Sequence, residues 1–91
     1  MDRVREKILM AAIRRYGHVG QQLKAIEELS ELIRALARAD DPVNIAEEMA
    51  DVRIMLDQLE IIFGNHDQVR ELEYKKLQRL NRRLGVAVKV E

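Results

Sequence analysis

Two acidic pairs, Glu28-x-x-Glu31 and Glu48-x-x-Asp51, are separated by sixteen residues. Side chains three apart on a helix share a face, so each pair can aim both carboxylates at one point. Two pairs facing each other would place four carboxylates around a shared centre. Like charges that close need cations between them, and hard divalent ions such as Mg²⁺ take all-oxygen ligands. The first expectation is therefore a metal site built from Glu28, Glu31, Glu48 and Asp51.

The surrounding chain must supply helices to position those groups. Apolar spacing predicts four helical segments, at about Asp2–Tyr16, His18–Ala39, Val43–Phe63 and Asp67–Leu84. Tyr16–Gly20 reads as a break, with Gly17 and Gly20 bracketing it. Asp41 is placed to cap the third helix, with Pro42 at its first position. Gly64-Asn65 and Gly85 read as stops. Along the first segment Val4, Ile8, Ala12 and Tyr16 form one stripe. The tail Val86–Val90 alternates weakly, which leaves disorder or pairing with a partner. The fold expected is a single all-α domain over residues 1–91, of helical-hairpin or four-helix-bundle type, with its core at about 16–84 and the tail 85–91 flexible.

Composition bounds the setting. A chain of 91 residues buries only about 60% of its unfolded surface. With three aromatic residues and no cysteine, its stability is expected to come from assembly into a homo-oligomer, dimer or tetramer. Sixteen acidic residues balance sixteen basic ones, so no net charge draws nucleic acid or a membrane. The absence of a signal peptide and of a long apolar run leads us to expect a cytoplasmic protein, or one in the host cytoplasm if the source is viral.

Glu-x-x-Glu on a helix is most often a solvated face, and the second segment leaves that reading open. Its apolar arc runs through Leu32, Leu36, Leu29, Ile33, Ile26 and Leu23; Glu31 projects away from it, and Glu28 sits at its Leu32 edge. The third segment is clearer. Glu48 projects between Met55 and Leu59 inside the apolar arc, and Asp51 falls at its margin beside Gln58. A carboxylate in apolar surroundings is costly unless paired, protonated or metal-bound. The competing reading is a buried ion pair. In the fourth segment Lys76 and Glu73 project into the stripe Val69, Leu72, Leu77, Leu80 and Leu84, and its second half is basic. Those cations either suit the helix C-terminus or, at Lys76 and Arg79, face phosphates.

Glu27-Glu28-Leu-Ser-Glu31-Leu followed by Glu47-Glu48-Met-Ala-Asp51-Val resembles the paired acidic signature of MazG-like nucleoside triphosphate pyrophosphohydrolases. Tyr16-Gly17 and Gln21, Ile54–Leu59 and Lys76–Leu80 extend the resemblance over about residues 16–84. It implies an all-α oligomeric hydrolase that cleaves a nucleoside triphosphate between the α and β phosphates with Mg²⁺, or with Mn²⁺ in its place. Glu28, Glu31, Glu48 and Asp51 would hold the metal, and Glu48 or Glu31 would act on the attacking water. Lys76 and Arg79 would clamp the triphosphate. Gln21 and His18 are weaker candidates for reading the base, with Tyr16, Phe63 and Tyr74 the available stacking surfaces. Arg53 departs from the acidic or neutral residue expected beside the second pair, and is placed facing solvent near Glu60. A dedicated dUTP, dCTP or phosphoribosyl-ATP pyrophosphatase is the alternative within this superfamily. A non-catalytic helical oligomerisation module, its carboxylates paired across an interface with Lys76, Arg79 and their neighbours, is the alternative outside it.

Overall fold

Four helices follow one another in a computed structural model that describes residues 1–90: α1 (Arg3–Tyr16), α2 (His18–Ala37), α3 (Pro42–Phe63) and α4 (His66–Leu84). No strand occurs among the described residues. Caps explain the starts and stops. Asp2 Oδ1 accepts from Arg5 N at 2.8 Å at the head of α1. Asp41 Oδ1 accepts from Val43 N and Asn44 N, both at 3.0 Å, with Pro42 opening α3. Gly64 ends α3 in the left-handed conformation.

Two boundaries differ from the sequence expectation. The break at Tyr16–Gly20 shrinks to the single residue Gly17, and Gly20 lies inside α2. Gly17 has φ 83° and ψ 161°, a conformation that a side chain would strain. At the far end α2 stops at Ala37 rather than Ala39, because Ala39 turns to a positive φ of 52°. There the backbone closes through Asp40 N donating to the Ala35 carbonyl.

α2 and α3 form a helical hairpin, and α1 lies against both. The buried apolar side chains are Leu9 and Ile13 from α1, Ala25 and Ala35 from α2, and Val52 and Met55 from α3. Alanines on the inner face of α2 let the α3 backbone come close. The stripe expected on α1 is not the one buried: Val4, Ile8 and Tyr16 are exposed, while Leu9 and Ile13 turn inward. Arg5, one turn before Leu9, donates from Nε to Asp57 Oδ2 at 2.6 Å and ties α1 to α3.

α4 packs on α3, its first turns share grooves with Arg5, Glu6 and Met10 of α1, and it contributes no buried residue. Val69 and Glu73 share a groove with Leu56 and Glu60 of α3. Three helices therefore make the packed body, and the fourth extends from it. After Gly85 the chain has no regular structure through Val90, although Asn81 Nδ2 donates to the Val88 carbonyl at 2.8 Å. Glu91, the end of the tail expected to be flexible, lies outside the described residues. No helix among the described residues is long and apolar enough to cross a membrane.

Candidate metal centre

The inner face of α2 carries Gln21, Ala25, Glu28 and Ala35, which recur at helical spacing and point at α3. Glu28 is thus on the packed side of α2, not on its solvated side. Its side chain is only 13% exposed. On α3 the cap at Asp41 fixes where the helix begins, and Glu48 and Asp51 follow one turn apart on the side facing α2. Glu28, Glu48 and Asp51 each offer an oxygen, and these oxygens all lie within 4.8 Å of one another. Such a cluster could hold a metal ion.

Glu48 is the least satisfied member. It is half-buried, and its Oε2 is shut off from solvent with no hydrogen-bond donor among the described residues. Its carboxyl is pushed above the usual glutamate range, first by burial and then by the negative charges of Glu31, Asp51, Glu28 and Glu47. Neither Glu48 nor Asp51 has an ion-pair partner among the described residues. A buried acceptor without a donor, surrounded by further carboxylates, fits a hard cation better than it fits any neighbouring side chain.

Glu31 stands apart from the trio. Its carboxylate accepts from Arg34 on the next turn of α2, although its charge acts on Glu48 more strongly than that of Asp51 or Glu28. It flanks the cluster without being directed into it.

Lys24 is the cation actually present. Its Nζ lies 3.1 Å from Glu28 Oε1 and 3.5 Å from Glu27 Oε2. The hydrogen bond to Glu28, and then the charges of Glu27 and Glu28, raise its ammonium pKa. This residue is absent from the sequence reading, yet Lys24-x-x-Glu27-Glu28 is visible there as a helical i, i+3, i+4 triplet.

Lys24, Glu28 and Asp51 line one side of a cleft of about 710 Å³, with Tyr16, Gln21 and Gln58 further along it. Gln21, a candidate for reading the base, is buried, and its Nε2 donates to Gln58 Oε1 at 2.5 Å. That bond leaves one amide carbonyl and one amide NH₂ of the pair without a bond to another side chain.

No protein-family model, characterised protein or solved structure matches the chain. The candidate site therefore stands on its own geometry.

Other expected residues fall elsewhere. Lys76 and Arg79 are exposed on α4, which does not pack on α2. Lys76 lies along an apolar groove with Leu72, Leu77 and Leu80, so within one chain these cations do not meet the carboxylates. The splay of α4 is the reason. His18 is exposed at the first residue of α2 and does not line the cleft. Arg53 is exposed and has no ion pair among the described residues, and it shares a groove with Glu60.

Proposed function

We propose that this protein is a Mg²⁺-dependent nucleoside triphosphate pyrophosphohydrolase, cleaving between the α and β phosphates to release a nucleoside monophosphate and pyrophosphate. The observation that carries the reading is the convergence of Glu28, Glu48 and Asp51 with a Glu48 oxygen buried and undonated. The order and spacing of the acidic pairs, which resemble the MazG-like signature, support the same chemistry.

Glu28, Glu48 and Asp51 would hold the ion, with Glu31 joining them once it turns from Arg34. Bound Mg²⁺, or Mn²⁺ in its place, supplies charge neutralisation at phosphate oxygens and a lowered pKa for coordinated water. Glu48 or Glu31 would orient or deprotonate the attacking water, the other carboxylates holding the ion. Lys24 is placed to contact phosphate when a cation replaces it at Glu28. The free amide edges of Gln21 and Gln58 offer a donor and an acceptor side by side, the pattern that a base edge requires. Tyr16 gives the cleft an aromatic surface. Within one chain Lys24 is the cation beside the carboxylates, and Lys76 and Arg79 would clamp phosphate from another protomer.

The test is pyrophosphate release from ribo- and deoxyribonucleoside triphosphates, with Mg²⁺ and with chelator, for wild type and Glu48→Gln. Metal-dependent release of pyrophosphate with monophosphate, lost in Glu48→Gln, is the expected result. Folded protein that turns over none of them, and whose melting ignores Mg²⁺, would overturn the proposal.

A further inference from the structure

Gln21 and Gln58 are the buried polar side chains among the described residues, 7% and 4% exposed. They bond to each other between α2 and α3, and each keeps one polar atom free, Oε1 of Gln21 and Nε2 of Gln58. Neither free atom is bonded to another side chain or shut off from solvent among the described residues. Both residues line the cleft, so both atoms open onto it.

Register ties this pair to the carboxylates. Gln21 precedes Glu28 by seven residues on α2, and Gln58 follows Asp51 by seven on α3. The two helices run antiparallel in their hairpin, so both amides lie at one end of the cleft, two turns or about 10 Å from the carboxylates. A nucleoside triphosphate covers such a span between its base edge and its phosphates. Tyr16, Leu23 and Ile54 give the cleft exposed apolar walls.

We infer that the amide pair is a base reader of reversible polarity, which accepts amino bases and keto bases alike; the inference rests on the pyrophosphohydrolase reading. A glutamine amide carries its donor and its acceptor on one two-fold torsion. When both amides turn over together, Gln58 Nε2 donates to Gln21 Oε1, and one hydrogen bond is exchanged for its equivalent. The free atoms are then Nε2 of Gln21 and Oε1 of Gln58. From α2 to α3 the cleft reads acceptor then donor in one state, and donor then acceptor in the other. No charged side chain among the described residues bonds either amide to fix its state.

Cytosine presents an N4 donor beside the N3 acceptor, and uracil an O4 acceptor beside the N3 donor. Phosphates held at the carboxylate end stop a base from reversing itself to suit one pattern. The amides reverse instead. A carboxylate at either position, being an acceptor only, could not.

Steady-state kinetics of the full chain with Mg²⁺ test this on CTP, UTP and the triphosphate of 2-pyrimidinone riboside, which carries only hydrogen at position 4. Wild type should use CTP and UTP with kcat/KM values within about tenfold of each other. Both should exceed the analogue by about tenfold or more, because the analogue leaves an amide atom unpaired. In Gln21→Leu/Gln58→Leu the advantage over the analogue should vanish for both bases, through KM rather than kcat. A wider gap between CTP and UTP in wild type would reveal a fixed polarity and overturn the inference. So would an analogue used as well as either base, or an advantage that survives in the double variant. Those outcomes leave the pyrophosphohydrolase reading intact, whereas hydrolysis of none of the three removes that reading and this inference with it. Should the double variant fail to fold, the wild-type ratios decide alone.

Discussion

Lys24 Nζ sits 3.1 Å from Glu28 Oε1, one helical turn away on the same helix. The cation that neutralises part of the carboxylate cluster is therefore supplied by the element that supplies one of the carboxylates. In Lys24→Met the free protein should bind Mg²⁺ more tightly, because a competitor for Glu28 is gone. Nucleotide turnover should nevertheless fall by about 10²-fold, a common cost of losing one charge-stabilising donor. Calorimetric Mg²⁺ titration with steady-state kinetics checks both; weaker Mg²⁺ binding with unchanged turnover would contradict the role given to Lys24.

Glu48 gives the pH dependence. Its folded-state pKa lies above the ordinary 4.5, so the folded chain favours the protonated carboxyl more than the unfolded chain does. Metal-free stability from this group is present below 4.5 and is lost as pH rises through the folded-state value. The melting temperature of wild type minus that of Glu48→Gln, measured in chelator, should fall over that interval and then level. At neutral pH the variant should be the more stable in chelator, while only wild type gains from added Mg²⁺. A flat difference across the range would show that Glu48 is not held in an unfavourable charged state.

The buried amide pair makes an asymmetric prediction. Gln58→Leu leaves the Gln21 amide without its partner and should cost about 1–3 kcal/mol by denaturant unfolding. The double change Gln21→Leu/Gln58→Leu should be milder than the two single costs added. Strict additivity would mean that the hydrogen bond contributes nothing as a pair.

Close approach of α2 and α3 depends on alanine. Ala35 is 1% exposed, and Ala35→Leu should destabilise by about 1–3 kcal/mol through overpacking. It should also weaken the Mg²⁺-induced rise in melting temperature, since Glu28 lies on the helix that is pushed away. Loss of stability with full metal response would place the site's geometry outside the control of this contact.

Local signals and long-range ones were not equally legible. Asp41-Pro42 marks the start of α3 because a cap acts on its own backbone neighbours, and the arc that placed Glu48 among apolar residues holds: Val52 and Met55 beside it are buried. Glu28 was ambiguous because apolar periodicity finds the largest side chains, and on α2 those are the uncovered ones. The face that meets α3 is built from Ala25, Ala35, Gln21 and Glu28, too small or too polar to register as a stripe. The distance of Lys76 from the carboxylates depends on how α4 leaves α3, which no local pattern encodes. The all-helical architecture was readable from spacing alone.

A join of one residue between α1 and α2 sets the phase of the whole site. With only Gly17 between the helices, adding a residue there would turn one helix against the other by about 100°. Either Glu28 leaves α3, or Leu9 and Ile13 leave the core. The connection from Arg38 to Asp41 is four residues long, so an added residue there is not forced to rotate one helix against the other. Variation in length should therefore be tolerated between α2 and α3 and refused at Gly17, making the shortest connection in the molecule the one that its chemistry can least afford to see altered.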